Sequence, residues 1–316
     1  MLGVGGLRVV AGALVGALAL LTLVACDDIS MPGACGQGGP INSHARPALI
    51  FACSAVSVDG GPQYRLWRLL PHGAQQLSRE PARDPAVALR TSRLAYDSTA
   101  AGAPNVYVSG LNLASPHEVA PAPGGQTQPA WSPDGGRLAY VSGQLGLHAP
   151  VGVSGTFGTV FVSTADGGGA HAITPDDSFA GEPAWSPDGT GIAYATDRGG
   201  YWNIDTVRPD GGGERMLTDR GQAQWPTWSP DSSRIAYQWS AALGGDPSIW
   251  VMDAADGGTA HRLTSGSDPS WSPNGKWIAF VRKTDQGSDL WMISPRGGHA
   301  VRITDDAGLK GRPSWV

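Results

Sequence analysis

Pro129-Ala130-Trp131-Ser132-Pro133-Asp134-Gly135, followed by Leu138-Ala139-Tyr140, recurs along the chain. It returns as Pro183-Ala184-Trp185-Ser186-Pro187-Asp188-Gly189 with Ile192-Ala193-Tyr194, and as Pro226-Thr227-Trp228-Ser229-Pro230-Asp231 with Ile235-Ala236-Tyr237. Another copy is Pro269-Ser270-Trp271-Ser272-Pro273-Asn274-Gly275 with Ile278-Ala279-Phe280. Trp131 and Trp185 are 54 residues apart, whereas Trp185 to Trp228 and Trp228 to Trp271 are 43 each. A worn copy, Asp84-Pro85-Ala86-Val87 with Leu94-Ala95-Tyr96, precedes the set, and Pro313-Ser314-Trp315 follows it.

Each unit closes alike, with an apolar strand such as Ile249-Trp250-Val251-Met252, a turn such as Asp256-Gly257-Gly258, and a short strand such as Arg262-Leu263-Thr264. Pro presets the φ of a turn, Asp accepts local backbone hydrogen bonds and Gly takes positive φ, so both punctuations read as turns between short β segments. Four such segments in about 40 residues are the pattern of a propeller blade. The first unit, from Ala48-Leu49-Ile50-Phe51, lacks its Pro-x-Trp strand, and Pro313-Ser314-Trp315 lacks everything after it. Together they complete one blade. The expectation is an all-β, six-bladed propeller over residues 48–316, with four-stranded antiparallel blades and a ring closed by the C-terminal strand, which removes exposed edges.

Composition agrees. The 46 Gly and 25 Pro exceed a fifth of the 316 residues, against roughly 12% in average usage, which disfavours long helices. A net charge of −5 gives no basic face for displacing the counterions of a nucleic acid, so nucleic-acid binding is not expected.

The repeat, from Pro-Ala-Trp-Ser-Pro-Asp-Gly through Ile-Ala-Tyr to Leu-Thr, resembles the TolB-type, WD40-like propeller repeat over about residues 48–316. The resemblance implies an interaction platform in the periplasm or cell envelope. TolB itself carries a separate N-terminal α/β domain. Residues 27–47 are too few to form one, so a propeller without that domain is expected.

Residues 1–25 pair one charge, Arg8, with an apolar run from Val9 to Val24, the composition of a secretory leader. The run falls short of the ~20 residues that span a bilayer. Its end, Leu23-Val24-Ala25-Cys26, resembles the lipobox of bacterial lipoproteins, which implies cleavage before Cys26 and lipidation of it. The expectation is an extracytoplasmic, membrane-anchored lipoprotein with residues 26–47 as tether. Cys35 and Cys53 remain as an even pair in an oxidising compartment, where a disulfide persists; two free thiols are the alternative.

Candidate functional residues are sparse. His72, His171, His261 and His299 fall at the same place in their respective units, which a ring sets at different azimuths, so no shared metal site is expected. From Tyr140 to Phe161 is 21 residues, where Tyr96 to Tyr107 and Phe280 to Trp291 are 11 each. The extra segment, residues 142–158 with His148 and Phe157, reads either as a tolerated surface hairpin or as a binding loop. Second-to-third-strand loops of propellers share a face with the blade-to-blade connections. On that face fall Arg198, Tyr201, Trp202, Trp239 and Lys283, and the connections add Trp225, Lys310 and Arg312. Aromatics with Arg are the residue types that anchor protein interfaces.

No Gly-x-Ser-x-Gly elbow occurs; Gly152-Val153-Ser154-Gly155 misses it by one position. Asp134, Asp188 and Asp231 sit inside Ser-Pro-Asp turns and read as structural rather than catalytic or calcium-binding. No cofactor or metal is expected. The function expected is a non-catalytic, monomeric platform binding envelope proteins. The alternatives are a carbohydrate-active lyase or hydrolase, or a small-ligand-binding lipoprotein, using the channel mouth.

Overall fold

The second strand of every repeat is small-and-large apolar on both sides of the pleat, as a strand covered on both faces requires. Ile192–Thr196 is buried along its whole length, and Leu138 to Ser142 likewise. In the computed structural model, which describes residues 35, 48–54, 63–70, 73–119, 125–143 and 158–316, these strands lie inside six four-stranded antiparallel sheets. The leader, Cys26, His44, His72, His148 and Phe157 fall outside the described residues.

Five sheets run outward in chain order from an innermost strand: Ala82–Ala88, Gln126–Trp131, Ala180–Trp185, Gln222–Trp228 and Ser267–Trp271. These are blades two to six. Blade one takes its innermost strand from Leu309–Trp315, which pairs antiparallel with Leu49–Ser54. Leu49 faces Trp315 and Ser54 faces Leu309, and Val316 N–H donates to Ala48 O at 2.9 Å. The composite blade expected from the two incomplete units is therefore present.

Each hydrophobic cluster spans two neighbouring blades. Ala193, Trp202 and Ile204 of blade four pack on Ile235, Tyr237 and Met252 of blade five. Indole hydrogen bonds staple blades together at the inner edge. Trp131, Trp228 and Trp315 donate Nε1–H to the carbonyls of Ala86, Ala184 and Ser270 of the preceding blade, at 2.9–3.0 Å. Arg93, Arg137 and Arg234 each lay a guanidinium over the Trp of the next blade, 4.8–5.3 Å from the ring centre.

The Ser-Pro-Asp turns are structural, as their position suggests. Ser132 Oγ donates to Asp134 Oδ1 at 2.5 Å, which in turn accepts Gly136 N–H at 3.0 Å. Bonds from Ser229 and Ser233 likewise hold the Asp231 carboxyl down at about 2. Cys35 and Cys53 form a disulfide with Cα atoms 6.3 Å apart.

Candidate functional site

Innermost strands run from the face carrying the blade-to-blade connections to the face carrying the Ser-Pro-Asp turns. Near the start of each, pairing with the second strand is interrupted by a bulge, as between Arg83 and Ala86 or Gln224 and Thr227. At the bulge sits one residue with positive φ: Asp84 (48°), Gln128 (57°), Glu182 (57°), Trp225 (56°), Asp268 (50°) and Arg312 (54°). Every one precedes proline, which disfavours the right-handed α region for the residue before it. A non-glycine residue in the left-handed region costs about 1–3 kcal/mol and persists only where its surroundings enforce it. All six recur at one level of the axial channel, which they line together.

Hydrogen bonds run round this waist from blade to blade. Glu182 N–H donates to Gln128 Oε1 at 2.8 Å, Trp225 N–H to Glu182 Oε2 at 2.6 Å, and Arg312 N–H to Asp268 Oδ2 at 3.3 Å. An indole cannot accept in this way, and after Trp225 the pattern is patched by Gln238, whose Oε1 accepts from Asp268 N–H at 3.4 Å. Gln128 N–H in turn bonds to buried Asp97.

Charge at the waist is unbalanced: Asp84, Glu182 and Asp268 face one cation, Arg312. Its guanidinium reaches Asp84 Oδ1 at 2.9 Å and lies over the Trp225 ring. Burial pushes the Glu182 carboxyl up to about 8, against the pull of Arg312 and the Trp225 N–H. Burial raises Asp268 too, again opposed by Arg312. Asp97 is raised well above the usual carboxylate range, first by burial and then by the neighbouring Asp84.

The waist separates two mouths. On the turn face is a cavity of about 480 Å³ walled by Trp131, Trp185, Trp228, Trp271 and Trp315. On the loop face a funnel of about 570 Å³ descends past Tyr64, Gln238, Leu243 and Lys283 to Trp225 and Arg312.

The candidate residues from the sequence divide. Trp225, Lys283 and Arg312 line the funnel. Lys310 also borders it, but its side chain has no exposed surface, held between Asp289 (3.5 Å) and Asp306 (3.1 Å). Trp202 belongs to the core between blades four and five. Both are packing elements rather than contact residues on the loops: the sequence places them beside loops, and the fold turns them inward. Arg198 pairs with Glu214 at 2.6 Å on the flank of blade four. Tyr201 stands 58% exposed. Trp239 packs against Trp250 with the rings tilted 55° and donates to Arg220 O at 3.0 Å. His171 and His261 are exposed on separate blades. Among the described residues no group of three or more His, Cys, Asp or Glu is placed to hold a metal ion. The reading of the sequence missed Asp84, Gln128, Glu182 and Asp268, whose signal was a variable polar residue immediately before an otherwise constant Pro, and it missed Asp97, which follows Tyr96 on the second strand of blade two and carries no such signal.

A closed ring of six four-stranded blades, each giving one bulged residue to an axial waist, defines a six-bladed β-propeller. The chain belongs to the PD40 family, TolB beta propeller domain, which matches residues 72–316. TolB from Acinetobacter baumannii superposes with a TM-score of 0.70 at 22% identity, over 85% of this chain and 66% of that one. An oligogalacturonate lyase in complex with manganese superposes with a TM-score of 0.53 at 18% identity, over 77% of this chain and 71% of that one. At such identities the likeness is one of fold. An uncharacterized peptidase, YuxL of Bacillus subtilis (strain 168), is 27% identical over 169 residues. That match covers 51% of this chain and 23% of the relative's length.

Proposed function

We propose that this propeller is a lipid-anchored, non-catalytic interaction platform of the cell envelope, which receives a partner protein on its loop face. The observation that carries this reading is the funnel: a wide mouth narrows to a fixed floor where Arg312 is stacked on Trp225. Trp and Arg in a central, desolvated pocket are the usual anchors of an interface. The six bulges hold that floor rigid, so a partner meets a preorganised surface. Lipidation at Cys26, as the lipobox resemblance implies, would keep the platform at a membrane.

A direct test places photo-crosslinking residues at Leu243 and Lys283 on the loop face and at Leu89 on the turn face of the Cys26→Ser chain. The expected result is a discrete envelope-protein adduct from the loop-face positions, absent from Leu89 and lost in Trp225→Ala. Adducts formed equally from both faces would sink the assignment.

One observation favours a second reading. A buried carboxyl raised as far as Glu182, in a cleft, is the environment of a general acid. Under that reading the funnel takes a carbohydrate, and Glu182→Gln abolishes turnover in a glycan screen without loss of fold.

A further inference from the structure

We propose that a recess between blades one and two is a binding site for a small, uncharged, fused-ring aromatic molecule that carries a hydrogen-bond acceptor. The recess is separate from the axial funnel and independent of what the funnel binds.

Its position recurs around the ring. The aromatic residue of each second strand packs toward the preceding blade, as Tyr96 does on Ile50 and Leu66, and the side chain two residues further on meets the same gap. In blade five that side chain is Trp239, whose ring centre lies 5.5 Å from that of Trp250 and whose Nε1–H donates to Arg220 O on the connection from blade four at 3.0 Å. In blade six it is Arg282. The guanidinium sits 4.4 Å from the centre of the Trp291 ring and donates to Thr264 Oγ1 of blade five at 2.7 Å. In blade one it is Cys53, whose bridge to Cys35 presses on Gly308 of the connection from blade six. These three gaps are closed by the chain's own side chains, two of them flat groups beside an aromatic ring.

Blade two has Ser98 at this place. Its hydroxyl reaches the connection from blade one, donating to Pro81 O at 2.6 Å, as Trp239 reaches Arg220. So short a side chain leaves the space beside it open. The result is a cavity of about 420 Å³, walled by Leu77, Ala82, Leu113 and Pro116 and by the rings of Tyr96 and Tyr107. Those rings stack with centres 5.9 Å apart and planes 21° from parallel. The aromatic floor for a flat group is therefore in place, without the flat group that blades five and six supply.

Size and chemistry select the ligand. A volume of about 420 Å³ falls within the roughly 300–1,000 Å³ of small-molecule sites. Apolar walls favour an apolar ligand by burial, and stacked rings favour an aromatic one. The only charged residues at the cavity, Arg79 and Glu80, are exposed, one of each sign and neither ion-paired among the described residues. A net charge on the ligand therefore gains nothing there. Of the polar groups, Ser98 is engaged by Pro81, and Ser78 Oγ accepts Leu66 N–H at 2.8 Å. The phenol hydroxyls of Tyr96 and Tyr107 have no hydrogen-bond partner among the described residues, whereas Tyr194, at the place of Tyr96 in blade four, donates to Glu214. Burial, with Tyr107 adding to it, raises the Tyr96 phenol, so it stays protonated and offers a donor. An oxygen acceptor on the ligand answers it.

The test adds prodan, an uncharged naphthalene ketone whose emission moves to the blue in apolar surroundings, to the full chain and its variants. A saturable blue shift with a single site is expected; no shift overturns the site. Ser98→Trp fills the recess from within, as blade five does, and Ala101→Trp closes it from its rim. Each is expected to weaken binding by about tenfold or more, because the ligand then has to displace a packed ring. Ala101 is exposed, so its variant reports on the site even where Ser98→Trp disturbs the blade. Unchanged affinity in both variants places the dye elsewhere and overturns the assignment. Tyr96→Phe/Tyr107→Phe keeps the rings and is expected to weaken prodan about three- to tenfold through the lost donors; unchanged affinity there overturns the acceptor. Anilinonaphthalene sulfonate, a charged fused-ring dye, runs in parallel, and tighter binding than prodan's overturns the uncharged class.

Discussion

The guanidinium carbon of Arg312 stands 3.1 Å from the centre of the Trp225 ring, with Asp84 accepting from the same guanidinium at 2.9 Å. One side chain thus joins blades one, two and five across the channel axis. It is the sole cation among the six waist residues, and its loss leaves Asp84, Asp268 and Glu182 facing each other.

Removing it should therefore cost more than its partly exposed ion pair alone would suggest. Arg312→Ala is expected to lower stability by about 2 kcal/mol, short of the range for a fully buried pair because a quarter of the side chain is exposed. Arg312→Lys should recover only part of this, since an ammonium neither forks onto the carboxylate nor stacks flat on the indole. Urea unfolding of the two variants beside the parent measures both; full recovery by lysine would show that charge alone matters.

The waist also predicts a pH dependence of unusual sign. Glu182 is raised from 4.5 to about 8 by burial, so between those values the folded chain holds a proton that the unfolded chain has released. Stability then falls as pH rises through that window, because the folded state binds more protons there. Glu182→Gln should flatten the decline between pH 5 and 8. A residual slope should persist from Asp268 and Asp97, whose raised carboxyls act in the same direction. Thermal unfolding at several pH values reads this, and a parent more stable at pH 8 than at pH 5 contradicts it.

The tryptophan staples separate a hydrogen bond from the ring that bears it. Trp315 Nε1 donates to Ser270 O at 2.9 Å, whereas Trp185 Nε1 is buried without a partner among the described residues. Trp315→Phe should lose about 1 kcal/mol and leave the half-buried Ser270 carbonyl without its donor. Trp185→Phe removes an orphan donor and should be near neutral or slightly stabilising. Equal losses in the two variants would assign the whole effect to ring volume.

Lys310 makes the corresponding prediction for ring closure. Its ammonium, wholly buried, donates to Ser288 O at 3.0 Å and Asp306 O at 2.7 Å beside the Asp289 carboxylate. Lys310→Met strands buried negative charge at the seam and should cost about 3–5 kcal/mol. Lys310→Met with Asp289→Asn should regain part of that loss, measurable as a double-mutant cycle.

Much of this was legible in the repeats. Pro-x-Trp marked each innermost strand, Ile-Ala-Tyr each second strand, and the two incomplete units announced the composite blade, because a propeller writes one local pattern once per blade. The site was not legible in the same way. Trp202 and Lys310 sit next to loops in sequence, and only burial against a neighbouring blade, where Lys310 meets Asp289, turns them inward. Glu182 and Asp268 occupy the position where the repeat varies, and their importance comes from convergence on one axis, which no single copy of the motif contains.

The pairing of Leu49–Ser54 with Leu309–Trp315 has a consequence for the order of folding. The strands made first cannot acquire their innermost neighbour until the chain has been delivered almost to residue 316. Until then blade one keeps an unpaired edge, the kind of surface on which strands of other molecules add. Joining residues more than 250 positions apart is also slow, since the loop must close before the contact rewards it. The step that completes the ring is thus the one at which this protein is most exposed to aggregation, and a chain halted a few residues early would carry that open edge permanently.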